Sequence, residues 1–198
     1  MKVKDIISVI EDFAPLSIQE SWDNSGLCVG SPEDEVTSVL LGLDCTPALV
    51  DEAVACGADM IVTHHPLIFK GVKKISPDDQ TGEAIIKAIR AGISIYAAHT
   101  SADKVIAGVS GAMAAKLGLK NVRILDEDGD GTGLGVVGDF ETPMTSEEAV
   151  AYVKERFGLK VVKASRPVEG KIERVAMCGG SGGSLIPVAM KSGARLYI

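Results

Sequence analysis

Val3, Ile6, Ile7, Ile10, Phe13 and Ala14 recur at the three-and-four spacing of an amphipathic helix, and Pro15 stops the run. The pattern then changes period. Val39 to Leu43 is a compact apolar run ending at Asp44, and Thr46-Pro47 follows as a side-chain N-cap with proline at the first helical position. The spacing predicts a helix with Ala48, Leu49, Val50, Ala53, Val54 and Cys56 on its apolar side, closed by Gly57, which tolerates a left-handed C-cap. Met60 to Thr63 resumes as a buried strand. Thr81-Gly82-Glu83 opens another helix, with Ile85, Ile86 and Ile89 at helical spacing until Gly92, and Ile93 to Ala98 makes the next strand. From Val39 to Ala98 the order is strand, helix, strand, helix, strand. These are two consecutive βαβ units, and their right-handed crossovers predict a mostly parallel sheet with helices on its faces.

Around this block the pattern is less regular. Ser21 to Gly30 is a polar turn about Asp23, Asn24 and Gly26 that leads into a short apolar run. Its Trp22, the chain's one tryptophan, is expected to be a core anchor with its N–H satisfied, the other reading being a pocket wall. Gly108 to Leu119 reads as a small-residue helix. Asp126 to Gly131 begins like a calcium loop, but Val137 stands where the bidentate glutamate belongs, so a solvated turn is expected. Gly133 to Phe140 is read as a strand, Thr145-Ser146-Glu147-Glu148 as a capping box opening a helix to Phe157, and Val161 to Ala164 and Ile172 to Cys178 as two more strands. The glycine-rich run Gly179 to Ser184 fits neither a P-loop nor a complete G-x-G-x-x-G, which leaves a tight turn needing positive φ, or anion contact at the helix start beyond it. The fold class is therefore α/β, a mostly parallel or mixed sheet flanked by helices. Residues 1–125 are expected to form the α/β region with the site and 126–198 a second α/β half.

Composition narrows the possible roles. A length of 198 residues suits one or two domains, and 46% hydrophobic with 24% charged residues is ordinary globular usage. A formal net charge of -7 argues against a phosphate-neutralising surface, hence against a nucleic-acid partner. No apolar stretch approaches the roughly 20 residues of a membrane span, and the first helical segment is interrupted by Asp5, Glu11 and Asp12, unlike a signal peptide. Cys28, Cys45, Cys56 and Cys178 form no C-x-x-C pair and read as reduced thiols buried in apolar runs. The expected location is the cytoplasm.

The three histidines carry the candidate chemistry. His64-His65 ends one predicted strand and His99 ends another, with Asp103 four residues further on. Parallel strands share a carboxyl edge, where ligands collect in open α/β sheets, so the two segments meet if their strands are close in the sheet. Imidazole with carboxylate and no thiol indicates a nitrogen–oxygen site for zinc, iron, manganese or a similar divalent ion. At a strand's end the backbone can turn so that adjacent histidines reach different ions, which suits a dinuclear centre. The competing readings are core or helix-capping histidines, and a metal-free acid–base site using Thr63, Thr100 or Ser101, for which no Ser-His-Asp arrangement is legible.

Five stretches in this order, WDNSGLCVG, LLGLDCTP, VTHHPLIFKG, AAHTSAD and CGGSGGS, resemble the NIF-three-like family, also described as GTP cyclohydrolase I type 2 homologues. The resemblance spans nearly the whole chain, and the His-His-Pro block is its most specific part. It implies an αβ protein assembled as a hexameric ring with two divalent ions per subunit. His64 and His65 would be metal ligands, each leaning toward a different ion, Asp103 a third ligand, and His99 a group beside the metals. The family usually completes its site with a histidine and a glutamate after a strand like Ala194 to Ile198, so further ligands are expected in a segment beyond Ile198. Ser110-Gly111 stands where the family commonly carries an asparagine. The implied activity is metal-dependent hydrolysis of a small molecule, with purine nucleotide ring opening suggested by the family name and His99 as proton carrier. The alternative is a metal-binding hexameric scaffold or regulatory protein without turnover.

Overall fold

Residues 1–198 are described by a computed structural model. They divide into two compact units, Met1–Ala102 and Asp103–Ile198. The second unit includes β5 (Lys120–Glu127), which pairs with β6 (Gly133–Met144).

In the first unit, β1 (Gly26–Val29), β2 (Val39–Gly42), β3 (Met60–Thr63) and β4 (Ser94–Ala97) form a sheet in the order β1-β4-β3-β2. The predicted βαβ pair is present: β2, β3 and β4 are parallel neighbours, with Gly42 opposite Thr63 and Thr63 opposite Ala97. The sheet is mixed because β1 runs antiparallel to β4, with Gly26 opposite Ala97. The crossover helices start and stop on their local signals. Thr46 caps α2 (Pro47–Cys56) by accepting from the Leu49 amide, and Gly57 ends it in the left-handed region at φ 71°. Asp79, rather than Thr81, caps α3 (Gln80–Ala91) by accepting from the Gly82 amide. The strands bury both faces. Ile61 and Ile95 pack with Val50, Ala53, Ile85 and Ala88 of α2 and α3, while Met60 and Tyr96, one position away, pack with Val3 of α1 (Val3–Phe13). This strict alternation across two covered faces accounts for strands that read as continuous apolar runs.

The second unit is built differently. Strands β5, β6, β7 (Ile172–Met177) and β8 (Leu196–Tyr197) pair in that order, antiparallel except that β8 lies parallel to β7. Before them, α4 (Thr100–Lys104) spans the division between units and α5 (Val109–Leu117) follows. Val136, Phe140, Val175 and Met177 face α5 and α6 (Ser146–Phe157), whereas Val137 and Ala176 face Leu185 and Ala189 around α7 (Ile186–Lys191). The capping box at Thr145 and Glu148 forms as expected, with each side chain accepting from the other residue's amide.

Three expectations fail. Val161 to Ala164 is not a strand; Val161 is 79% exposed, and the short run between Lys160 and Lys163 has no neighbouring strand to pair with. Cys56 is exposed at the end of α2, although Cys45 is buried and Cys28 and Cys178 are partly so. Trp22 is 58% exposed and belongs to no core cluster. The acidic stretch is a turn as expected, tied by the Asp128 amide to the Thr132 carbonyl at 2.9 Å and by Lys104 to Asp128 at 2.8 Å.

Candidate metal centre

The parallel order of β2, β3 and β4 brings their carboxyl ends to one edge of the sheet. The antiparallel sense of β1 adds its beginning to the same edge. Past the strand ends the ladder continues for one step: the His65 amide donates to the Leu43 carbonyl at 3.0 Å and the Ala98 amide to the Thr63 carbonyl at 2.9 Å. The Thr63 hydroxyl donates to the His65 carbonyl at 2.9 Å and fixes the turn between them. His64 and His65 leave this turn toward one site, with ring centroids 4.9 Å apart. His99 comes from the neighbouring strand end, 5.2 Å from the His64 ring and 5.6 Å from the His65 ring. One ligand atom from each of the three lies within 4.8 Å of the others.

Each imidazole is oriented through its Nδ1. His64 Nδ1 meets the Ala98 carbonyl at 3.0 Å, His65 Nδ1 meets Asp44 Oδ1 at 2.7 Å, and His99 Nδ1 meets Asp23 Oδ1 at 2.8 Å. A carbonyl or carboxylate oxygen can only accept, so Nδ1 carries the proton in all three rings and Nε2 is the basic nitrogen. That is how metal-binding histidines are usually held, with a carboxylate or carbonyl behind the ring fixing its tautomer.

Asp23 is the most constrained of these supports. Its side chain is 0% exposed and accepts from His99, from the Ser25 hydroxyl at 2.9 Å, from the Thr100 amide at 3.0 Å, from the Thr100 hydroxyl and from the Asn24 amide at 2.7 Å. Burial alone would raise its pKa, but the hydrogen bonds from His99, Thr100 and Ser25 outweigh it and bring the carboxyl down to about 2. Asp44, by contrast, is well exposed. Neither aspartate stands out in the sequence. Asp44 was legible only as the end of an apolar run, and Asp23 only as part of a turn; the signal that could have found them is that each sits one or a few residues from a strand terminus.

Asp103 lies on α4, whose first residue directly follows His99, and is half-buried. No cysteine sulfur belongs to the cluster, and burial pushes the Cys45 thiol up to about 11 and also raises Cys28. The cluster that converges within 4.8 Å consists of the three imidazoles of His64, His65 and His99, and Asp103 is not among its members. The glycine-rich turn is occupied by packing. A side chain at Gly182 would collide with the Tyr197 hydroxyl and Cys178, one at Gly179 would meet Val109 at 2.8 Å, and the Tyr197 hydroxyl already donates to the Gly182 carbonyl at 2.6 Å.

Comparison with known proteins gives the site a context. The chain matches the family described as Duf34/NIF3 (NGG1p interacting factor 3) over residues 1–198. It is 39% identical over 201 residues to a Clostridium acetobutylicum protein named GTP cyclohydrolase 1 type 2 homolog, covering all of this chain and 75% of that relative. The crystal structure of Staphylococcus aureus hypothetical protein SA1388 superposes with a TM-score of 0.94 at 32% identity, over 100% of this chain and 78% of that one. A Bacillus cereus protein related to NIF3 shares the fold at a TM-score of 0.91 and 24% identity, over 100% and 81%. With every residue inside the family match, this chain belongs to the Duf34/NIF3 family.

Proposed function

We propose that this protein is a divalent-metal-dependent hydrolase acting on a small molecule, with a dinuclear centre at the strand edge. The observation that carries the reading is the convergence of three imidazoles within 4.8 Å, each with Nδ1 engaged by a protein acceptor. In this reading His64 and His65 are ligands to different ions and Asp103 is a third ligand, for zinc, iron or manganese. Bound there, divalent ions would acidify a water and polarise the scissile bond. The chain's own residues orient and move protons. Asp44 and the Ala98 carbonyl aim the two ligating rings. His99 takes and returns a proton at Nε2, and ionised Asp23 behind Nδ1 fixes its tautomer and stabilises the imidazolium that forms. The name of the Clostridium relative fits a nucleotide substrate, with ring-opening hydrolysis of a purine as the specific reaction. No helix is long and apolar enough to cross a membrane, which accords with a cytoplasmic enzyme.

Elemental analysis joined to a hydrolysis screen of GTP and phosphoesters tests this reading. The expected result is at least about one divalent ion per chain, turnover that a chelator abolishes and metal restores, and loss of both in His65→Ala. Bound metal with no turnover on any substrate, and unchanged behaviour of His65→Ala, would sink it.

One observation favours the alternative of a metal-binding scaffold assembled as a homohexamer. Leu41 and Leu43, on and beside the edge strand β2, are 73% and 63% exposed, and Val54 on α2 and Ile89 on α3 are also exposed. Exposed apolar side chains of this size suit an interface between subunits. Sedimentation of wild type against Leu41→Glu distinguishes the two: a scaffold loses its metal-dependent function with its assembly, whereas the hydrolase retains turnover per metal-loaded chain.

A further inference from the structure

Two aromatic rings stand in the open beside the histidine cluster. Trp22 is 58% exposed and Phe69 47% exposed. Their centroids are 5.9 Å apart at 68°, and each meets the His99 ring edge-on, at 6.1 Å and 6.2 Å respectively. Large aromatic side chains ordinarily bury most of their area, so two left exposed edge to face beside the histidine cluster require an explanation.

The loops that carry these rings are firmly mounted. The Asn24 side-chain Nδ2 donates to the Ile68 carbonyl at 2.6 Å, which joins the residue two after Trp22 to the residue before Phe69. Asp23, next to Trp22, is buried under its network of hydrogen bonds, and the Glu20 amide donates to the Thr100 hydroxyl at 2.9 Å. On the other side Leu67 is buried and Ile68 packs against the core shared by α2 and α3. A slack loop would expose an apolar ring by chance; here the neighbours of both rings are pinned and the rings are presented.

We propose that Trp22 and Phe69 form a corner that binds the planar heteroaromatic ring of the substrate. The ring stacks on one aromatic face and receives the edge of the other, which directs its reactive side toward His99 and the metal ligands. The occupant is a nucleobase-type ring, because stacking on aromatic faces tolerates any such base while the edge contact fixes its plane. Lys70, Lys73 and Lys74, exposed on the loop that continues from Phe69, give that side of a net acidic chain a local positive charge suited to an anionic substituent. The inference rests on the hydrolase reading only for the chemistry that follows binding.

Trp22 is the chain's one tryptophan, so its emission reports this corner directly. Metal-loaded and chelated protein are titrated with guanosine, adenosine, cytidine and ribose 5-phosphate, following Trp22 fluorescence. Saturable quenching by nucleosides and none by ribose 5-phosphate is expected, and Phe69→Ala should weaken nucleoside binding by about 10-fold or more while Phe69→Tyr restores it. Metal affinity, read by calorimetry, should be the same in both variants. If nucleosides bind but wild type takes up no metal, the corner stands and the hydrolase reading falls. The proposal is overturned if no nucleoside quenches, if ribose 5-phosphate quenches equally, or if Phe69→Ala alters only the assembly mass because a second copy covers the rings.

Discussion

β3 and β7 both end an apolar strand on a polar or glycine-rich turn, yet the two turns do opposite work. After β3 the chain presents His64 and His65 outward to a shared site, with His65 itself well exposed. After β7, Gly182 packs beneath Tyr197 and Cys178 and Gly179 against Val109, and the Gly182 carbonyl accepts from the Tyr197 hydroxyl inside the unit. Sheet sense explains the contrast. Parallel β2, β3 and β4 send three ends to one edge, and antiparallel β1 starts there, so polar side chains from four segments gather. Antiparallel β5, β6 and β7 send successive ends to opposite edges, which leaves each turn to be satisfied locally.

The largest expected break in this comparison is His64→Ala. Metal affinity should fall by more than about 100-fold, since outer partners of a ligand alone are worth roughly 10–100-fold. Calorimetry of Gly182→Ala should show unchanged metal binding, because that turn serves packing. The same Gly182→Ala variant should nevertheless melt earlier, losing about 1–3 kcal/mol as the new methyl pushes against the Tyr197 hydroxyl and Cys178; a melt indistinguishable from wild type would mean the turn is not packed as described.

Acid should act mainly on the first unit. Asp23 has a folded pKa of about 2 against an ordinary 3.8, so its contribution is full above the ordinary value and disappears as pH falls toward 2. The difference corresponds to about 2 kcal/mol. Measured with chelator present, the stability gap between wild type and Asp23→Asn should narrow by that amount over the descent, whereas a constant gap would contradict the depressed pKa. Asp139 in the second unit, held below the ordinary range by the Arg174 guanidinium and Asn121, is more exposed, and Asp139→Asn should show a weaker acid dependence. The smallest effect is expected from Thr145→Ala, which removes one side of the α6 capping box and should cost about 1 kcal/mol in thermal unfolding without touching metal binding.

Much of the fold was legible because its signals are local. The three-and-four recurrence from Val3 to Phe13 matches α1 residue for residue, and Thr46-Pro47 and Gly57 bracket α2 as read. Val161 to Ala164 misled because so short a β-branched run, interrupted by Lys163, specifies a strand only where another strand offers its backbone. The histidines were legible as a group because all three end apolar runs. Asp23 was not, since its turn precedes a strand, and nothing local says that β1 runs against β4 and so begins where β4 ends. Trp22 was expected in the core for the same reason: its indole argues for burial until the loop around it is seen pinned at Asp23 and Asn24.

The sequence by itself determined where the longer helices start and stop and which histidines end strands, because periodicity, caps and residue chemistry act over a few neighbours. Only the tertiary structure decided that β3 and β4 are adjacent, that Asp44 and Asp23 stand behind His65 and His99, and that Trp22 faces outward with Phe69. Those relations join residues tens of positions apart, and strand order and sense, which no local pattern encodes, are what bring them together.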